Sequence, residues 1–214
     1  MKVRSVIAAA VLAAAVAAPA AAEEMSHAHI GHIMTGWKDT PDKVGLLPEA
    51  KAEAQVAADH IGFALSDPGN LDSIKLHAGH VLHAVDPSKI DQGPGDGYGL
   101  IKAAKGIVAH VGYAASSDGA SDNVKTHAEH VSTSATDVVE WGSQVADLMQ
   151  KIQDADSADS AAVMAENAQK LIGCIQNGCD ADGDGNVTWQ AGEGGLAQVE
   201  QHMGFMMAGE GMEG

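Results

Sequence analysis

Apolar residues recur along most of this chain at spacings of three and four, the rhythm of an amphipathic helix. Ala50, Ala54, Ala57, Ile61 and Ala64 make one stripe, stopped by the turn-forming run Ser66-Asp67-Pro68-Gly69-Asn70. Leu71, Ile74, Ala78, Val81 and Val85 make a second, ended by Asp86-Pro87. A Gly-rich connection from Gln92 to Gly99 leads to a third, Leu100, Ala104, Ile107, Val111 and Ala114, closed by Ser117-Asp118-Gly119. The fourth is the longest: Val124, Ala128, Val131, Ala135, Val138, Gly142, Val145, Met149 and Ile152 keep a heptad-like rhythm. After an acidic, Ser-rich break at Asp154–Ser160, a fifth helix is expected to run to about Cys174. No stretch sustains strand alternation. The pattern predicts an all-α protein, a helical bundle built on a duplicated helical hairpin. Residues 48–153 form its four-helix region and 154–214 its C-terminal helices.

The first residues follow a different pattern. Lys2 and Arg4 precede an apolar run from Val6 to Ala18, then Pro19 and the small-residue site Ala20-Ala21-Ala22. These are the parts of a secretory signal peptide, so 1–22 is expected to be removed and the mature chain to begin at Glu23, in the periplasm or outside the cell. The run is shorter than the ~20 apolar residues of a membrane span, and no later segment is more apolar, so the mature chain is not expected to insert into a membrane. Residues 23–47 form an N-terminal segment with His27, His29, His32 and Met34, followed by turn chemistry at Thr40-Pro41-Asp42.

Charge narrows the partners. With 29 acidic and 12 basic residues the net charge is −17, which disfavours nucleic acid and anionic lipid and attracts cations. Aromatic residues are only 3% of the chain, so the helices can approach closely but build a thin core. In an exported protein, a disulfide is the default fate of Cys174 and Cys179.

An internal repeat carries the chemistry. His60-Ile61-Gly62-Phe63-Ala64 is echoed by His110-Val111-Gly112-Tyr113-Ala114, and Lys75-Leu76-His77-Ala78-Gly79-His80-Val81 by Lys125-Thr126-His127-Ala128-Glu129-His130-Val131. His60 and His77 lie equally far from the turn at Pro68-Gly69, and His110 and His127 equally far from Asp118-Gly119. Each pair is therefore expected to meet across its own hairpin, with His80 and His130 on the same faces three residues on. Each hairpin would then offer three imidazoles. The His-x-x-His spacing recurs at His29 and His32, and the His-x-Gly pattern at His29-Ile30-Gly31 and at His202-Met203-Gly204-Phe205. A helical Gly costs roughly 1 kcal/mol relative to Ala, so Gly62 and Gly112 suggest a neighbouring helix or a flat cofactor close to the backbone. His83 has no counterpart in the second copy and is expected to be peripheral. His27 is expected to be disordered or a surface metal scavenger.

Histidines on apolar stripes need a hydrogen bond or a metal. Neutral imidazole suits copper, zinc and iron alike. Met34, Met203, Met206, Met207 and Met212 either add soft ligands for Cu(I) or fill gaps in the core. Haem b between axial histidines is the rival, whereas the lack of Cys-x-x-Cys-His excludes covalent attachment. Glu-x-x-His occurs once, at Glu24-Met25-Ser26-His27, not as the pair a di-iron carboxylate centre needs. His-Glu-x-x-His, Gly-x-Ser-x-Gly, a phosphate loop and a dinucleotide fingerprint between a strand and a helix are absent, so nothing points to catalysis.

The run Asp180-Ala181-Asp182-Gly183-Asp184-Gly185-Asn186-Val187-Thr188 resembles the calcium-binding loop of EF-hand proteins. The resemblance implies side-chain ligation by Asp180, Asp182 and Asp184, a backbone carbonyl from Asn186, and an apolar residue at Val187. Ala191 stands where that family places its bidentate Glu, leaving Glu193 to close an enlarged loop.

These features point to a periplasmic multi-histidine protein that binds, stores or delivers a transition metal and holds calcium as well. The other readings are a b-type haem protein for electron transfer or redox sensing, and a non-catalytic interaction protein with pH-responsive histidines.

Overall fold

The computed structural model describes residues 17–212; residues 1–16, most of the expected export signal, lie outside them. Seven α-helices and no strands are found among the described residues. They are α1 (Ala17–Met34), α2 (Leu46–Ser66), α3 (Leu71–Val85), α4 (Leu100–Ser116), α5 (Asp122–Gln153), α6 (Ala158–Asn177) and α7 (Leu196–Gly209). The fold is thus an all-α bundle. None of the described helices is long and apolar enough to cross a membrane.

The five helices expected from periodicity are α2 to α6, and their starts have local causes. Asn70, Ser121 and Ser157 each accept a hydrogen bond from a backbone N–H in the first turn of α3, α5 and α6, a cap that stabilises by about 1 kcal/mol. The N-terminal segment holds a helix that the pattern alone does not reveal. Among the described side chains of α1, Ile30 and Ile33 are fully buried, with Ser26 beside them and Met34 partly buried against the core. Ser26 donates a hydrogen bond to the Ala114 carbonyl at 3.0 Å, tying α1 to α4.

The 32-residue α5 is the spine, packed against α3, α4, α6 and α7, while α1 lies on α4 and α2 joins α3, α4 and α6. The core is built from Ala, Val and Ile of every helix, with Met203, Met206 and Met207 of α7 buried in it. Those methionines fill the core.

His83 and His27 are both engaged. The His83 side chain is buried, its Nδ1 donates to the Pro94 carbonyl at 2.9 Å, and it pins down the Gly-rich connection before α4. His27 pairs with Glu210 at 3.2 Å, joining α1 to the end of α7. His83 stands outside the histidine clusters, as expected, whereas His27 has a fixed partner at the end of α7 and is not disordered.

Candidate metal centres

Nine of the eleven histidines converge in three clusters: His60, His77 and His80; His29, His32 and His110; His127, His130 and His202. The three are congruent. Each combines a His-x-x-His pair on one helix with a single histidine on another, and every close approach is between Nδ1 atoms. His60 lies 3.0 Å from His77 and 3.1 Å from His80. His110 lies 3.0 Å from His29 and 3.4 Å from His32. His202 lies 3.1 Å from His127 and 3.2 Å from His130. Ring orientations repeat too: the single imidazole is tilted 32–40° to the first member of its pair and 70–80° to the second.

The first hairpin, α2–α3, assembles its triad as the repeat predicts. The second does not. His110 of α4 turns to α1, and His127 and His130 of α5 turn to α7. Equal distance from a turn fixes the height of a residue along a hairpin, not its rotation about the helix axis. Ile107, Val111, Val124 and Val131 are buried in the core, and α1 and α7 dock beside α4 and α5 to complete the two clusters.

Proton placement makes these clusters suited to a cation. A neutral imidazole has a single N–H, so the lone histidine, facing two other Nδ1 atoms, cannot donate to both at once. One metal ion with bonds of about 2.0–2.1 Å in trigonal or tetrahedral array would set its nitrogens about 3.3–3.6 Å apart, close to the observed spacings. Burial and then the neighbouring imidazoles push His110 and His202 down to about 4. The same causes lower His60, His80 and His130, and for His32 burial leads, followed by His29 and Lys38. Neutral rings present lone pairs, the form a metal requires.

Aromatic rings frame each cluster. Three residues after the single histidine stand Phe63, Tyr113 and Phe205, half exposed, with ring centroids 5.3–5.8 Å from two of the imidazoles. Trp37 adds a second wall at 4.7 Å from His32 and 4.5 Å from His110. Trp189 stacks on His130 at 3.9 Å. In the sequence, only the recurrence of His-x-Gly-Phe/Tyr signalled part of this framing. No protein group approaches the glycines of that motif: a Cβ on Gly62, Gly112 or Gly204 would meet nothing within 4 Å. The structure offers no steric reason for them.

A carboxylate cluster lies between α6 and α7, where ligand oxygens of Asp180, Asp182 and Glu193 fall within 4.8 Å of one another. Backbone N–H groups of Gly183 and Gly185 donate to Asp180, and that of Asp184 donates to Asp182. Asp184 lies outside the cluster and accepts from the Asn186 backbone and side chain instead. Glu193 is buried and accepts from the Thr188 N–H at 3.0 Å and hydroxyl at 2.6 Å. Asp137 of α5 anchors the loop by accepting from the Gly192 N–H at 2.9 Å. Gly194 presses on Ser134, leaving no space for a side chain. Cys174 and Cys179 form the expected disulfide at the loop's entry.

Sequence reasoning missed a buried acidic pair. Glu49 and Glu53, one turn apart on the apolar face of α2, are each 1% exposed. Glu53 accepts from the N–H groups of Tyr98 and Gly99, while one oxygen of each carboxyl has no partner. Burial, reinforced by Asp96, raises Glu49 to about 7.

No protein-family model, curated protein or solved structure matches this chain.

Proposed function

We propose that this protein binds, stores or delivers a transition-metal ion, copper or zinc, at three equivalent three-histidine centres in the periplasm. The observation that carries the reading is the threefold recurrence of one geometry on different helix pairs: three convergent Nδ1 atoms with an aromatic ring beside them. Three neutral nitrogens with room for a further ligand suit Zn²⁺ and copper. Haem fits less well, because nitrogens 3.0–3.4 Å apart leave no slot for a macrocycle between them. The acidic surface favours cation capture, and the disulfide agrees with an exported protein.

Calcium at the loop is the second part of the proposal. Asp180, Asp182 and Glu193 converge there, the positive φ of Gly183 and Gly185 makes the turn, and hard oxygen ligands suit that ion. In this reading Glu193 replaces the terminal Glu of the EF-hand loop, and calcium braces the segment from α6 to α7.

Elemental analysis tests both parts. Protein equilibrated with Zn²⁺ or Cu(I) and then gel-filtered should carry three such ions per chain. The variant His60→Ala/His110→Ala/His202→Ala, helical by circular dichroism, should carry none. An unchanged content in that variant would leave the histidines as packing or pH-responsive groups. Calcium should raise Tm in the wild type and leave Asp180→Ala/Asp182→Ala unaffected; a wild-type Tm indifferent to calcium would make the loop a simple turn.

A further inference from the structure

We infer that the three centres are not equivalent in exchange: His60, His77 and His80 form the port through which ions enter and leave, whereas the two centres walled by Trp37 and Trp189 retain theirs. The inference rests on the metal-binding reading above and adds a division of labour within it.

The congruence of the centres allows a position-by-position comparison. The flank occupied by Phe63, Tyr113 or Phe205 is common to all three, and the surface depression that touches His29 lies on that common flank, beside Tyr113. The centres differ at the second histidine of each pair. His32 packs against Trp37 and His130 lies under Trp189. His80, their equivalent, has no such ring among the described residues. It lines instead an open depression with Lys75, Leu76, Gly79, Ile90 and Gln92. Burial of the single histidine follows the same division, since His110 and His202 are buried at 8% and 9% exposure and His60 is only half-buried.

Access decides exchange at such a centre. An ion on three imidazoles leaves when an incoming ligand takes a further coordination position before the histidines let go. A tryptophan against the pair blocks that approach on one flank, and an open flank admits it. The two walls come from unrelated segments, Trp37 from the turn after α1 and Trp189 from the loop before α7. Their placement against equivalent histidines is therefore not a by-product of the hairpin duplication.

Release kinetics test this. Protein loaded with three equivalents of Zn²⁺ is mixed with excess chromogenic zinc chelator in a stopped-flow instrument. Two phases are expected, one third of the ions fast and two thirds slow. His60→Ala should remove the fast phase and spare the slow one. Trp37→Ala should move one ion from slow to fast, Trp189→Ala the other, and Trp37→Phe should restore slow release because it keeps a wall. Three ions leaving in a single phase, a fast phase that survives His60→Ala, or slow phases indifferent to both Trp→Ala changes would overturn the inference while leaving metal binding intact. Failure to take up zinc in the loading step would instead overturn the metal-binding reading, and this inference with it.

Discussion

His110 meets His29, 81 positions earlier in the chain, Nδ1 to Nδ1 at 3.0 Å. The contact makes α1 one wall of a centre whose other wall is α4, and it fixes which variants should act together. His29→Ala and His110→Ala strike one centre, so each should lower bound metal from three ions to two, and the double variant should lose no more. His110→Ala/His127→Ala strikes two centres and should retain one ion. Losing a ligand should weaken a centre by more than the roughly 10–100-fold seen when a ligand's hydrogen-bond partner is lost. Metal content after gel filtration decides it, and additive loss in His29→Ala/His110→Ala would refute the assignment.

Much of this was legible in the sequence. The chain spells three His-x-Gly-Phe/Tyr motifs, at His60, His110 and His202, and four His-x-x-His spacings, 29/32, 77/80, 80/83 and 127/130; all but 80/83 take one motif each. The stripes Ala50–Ala64 and Val124–Ile152 gave α2 and α5 because long buried faces repeat at helical spacing. The partner of His110 was not legible, because it depends on how α1 docks, and two buried isoleucines diluted by histidines leave too short a stripe to announce a helix. Nor could spacing show that Glu49 and Glu53 turn inward, since a glutamate on a helix is ordinarily solvated.

Acid should destabilise the metal-free protein through the clustered imidazoles. Lowered values in the folded state, to about 4 for His110 and His202 against 6.5 ordinarily, mean that the unfolded chain binds more protons between those limits. Their contribution is complete above pH 6.5 and is lost as the pH falls toward 4. Relative to wild type, His110→Gln should therefore show a shallower fall of Tm across that window. An equal slope in the two proteins would mean that the ring titrates normally.

Glu49 should act with the opposite sign. Its carboxyl ionises at about 7 in the folded state against 4.5 ordinarily, so the folded protein keeps a proton that the unfolded chain has released. Stability from this group falls as pH rises from 4.5 to about 7 and then levels off. Glu49→Gln supplies a neutral side chain of the same shape, so its Tm relative to wild type should be higher at pH 8 than at pH 4.5. A constant difference between the two pH values would show that Glu49 is not held protonated.

The three motif glycines should be replaceable at a gain. Gly62, Gly112 and Gly204 lie within helices α2, α4 and α7, and a Cβ on any of them enters open space. Alanine loses less backbone freedom on folding than glycine, so each exchange should stabilise by about 1 kcal/mol. In a chain of this size that raises Tm by roughly 2–4 °C per site. The ligating nitrogens are untouched, so metal content should stay at the wild-type level. Gly194→Ala provides the contrast, because its Cβ would collide with Ser134 of α5 and should lower Tm. A Tm that falls in Gly62→Ala, Gly112→Ala and Gly204→Ala alike would mean that the bare backbone beside each centre is in contact with something in the folded protein.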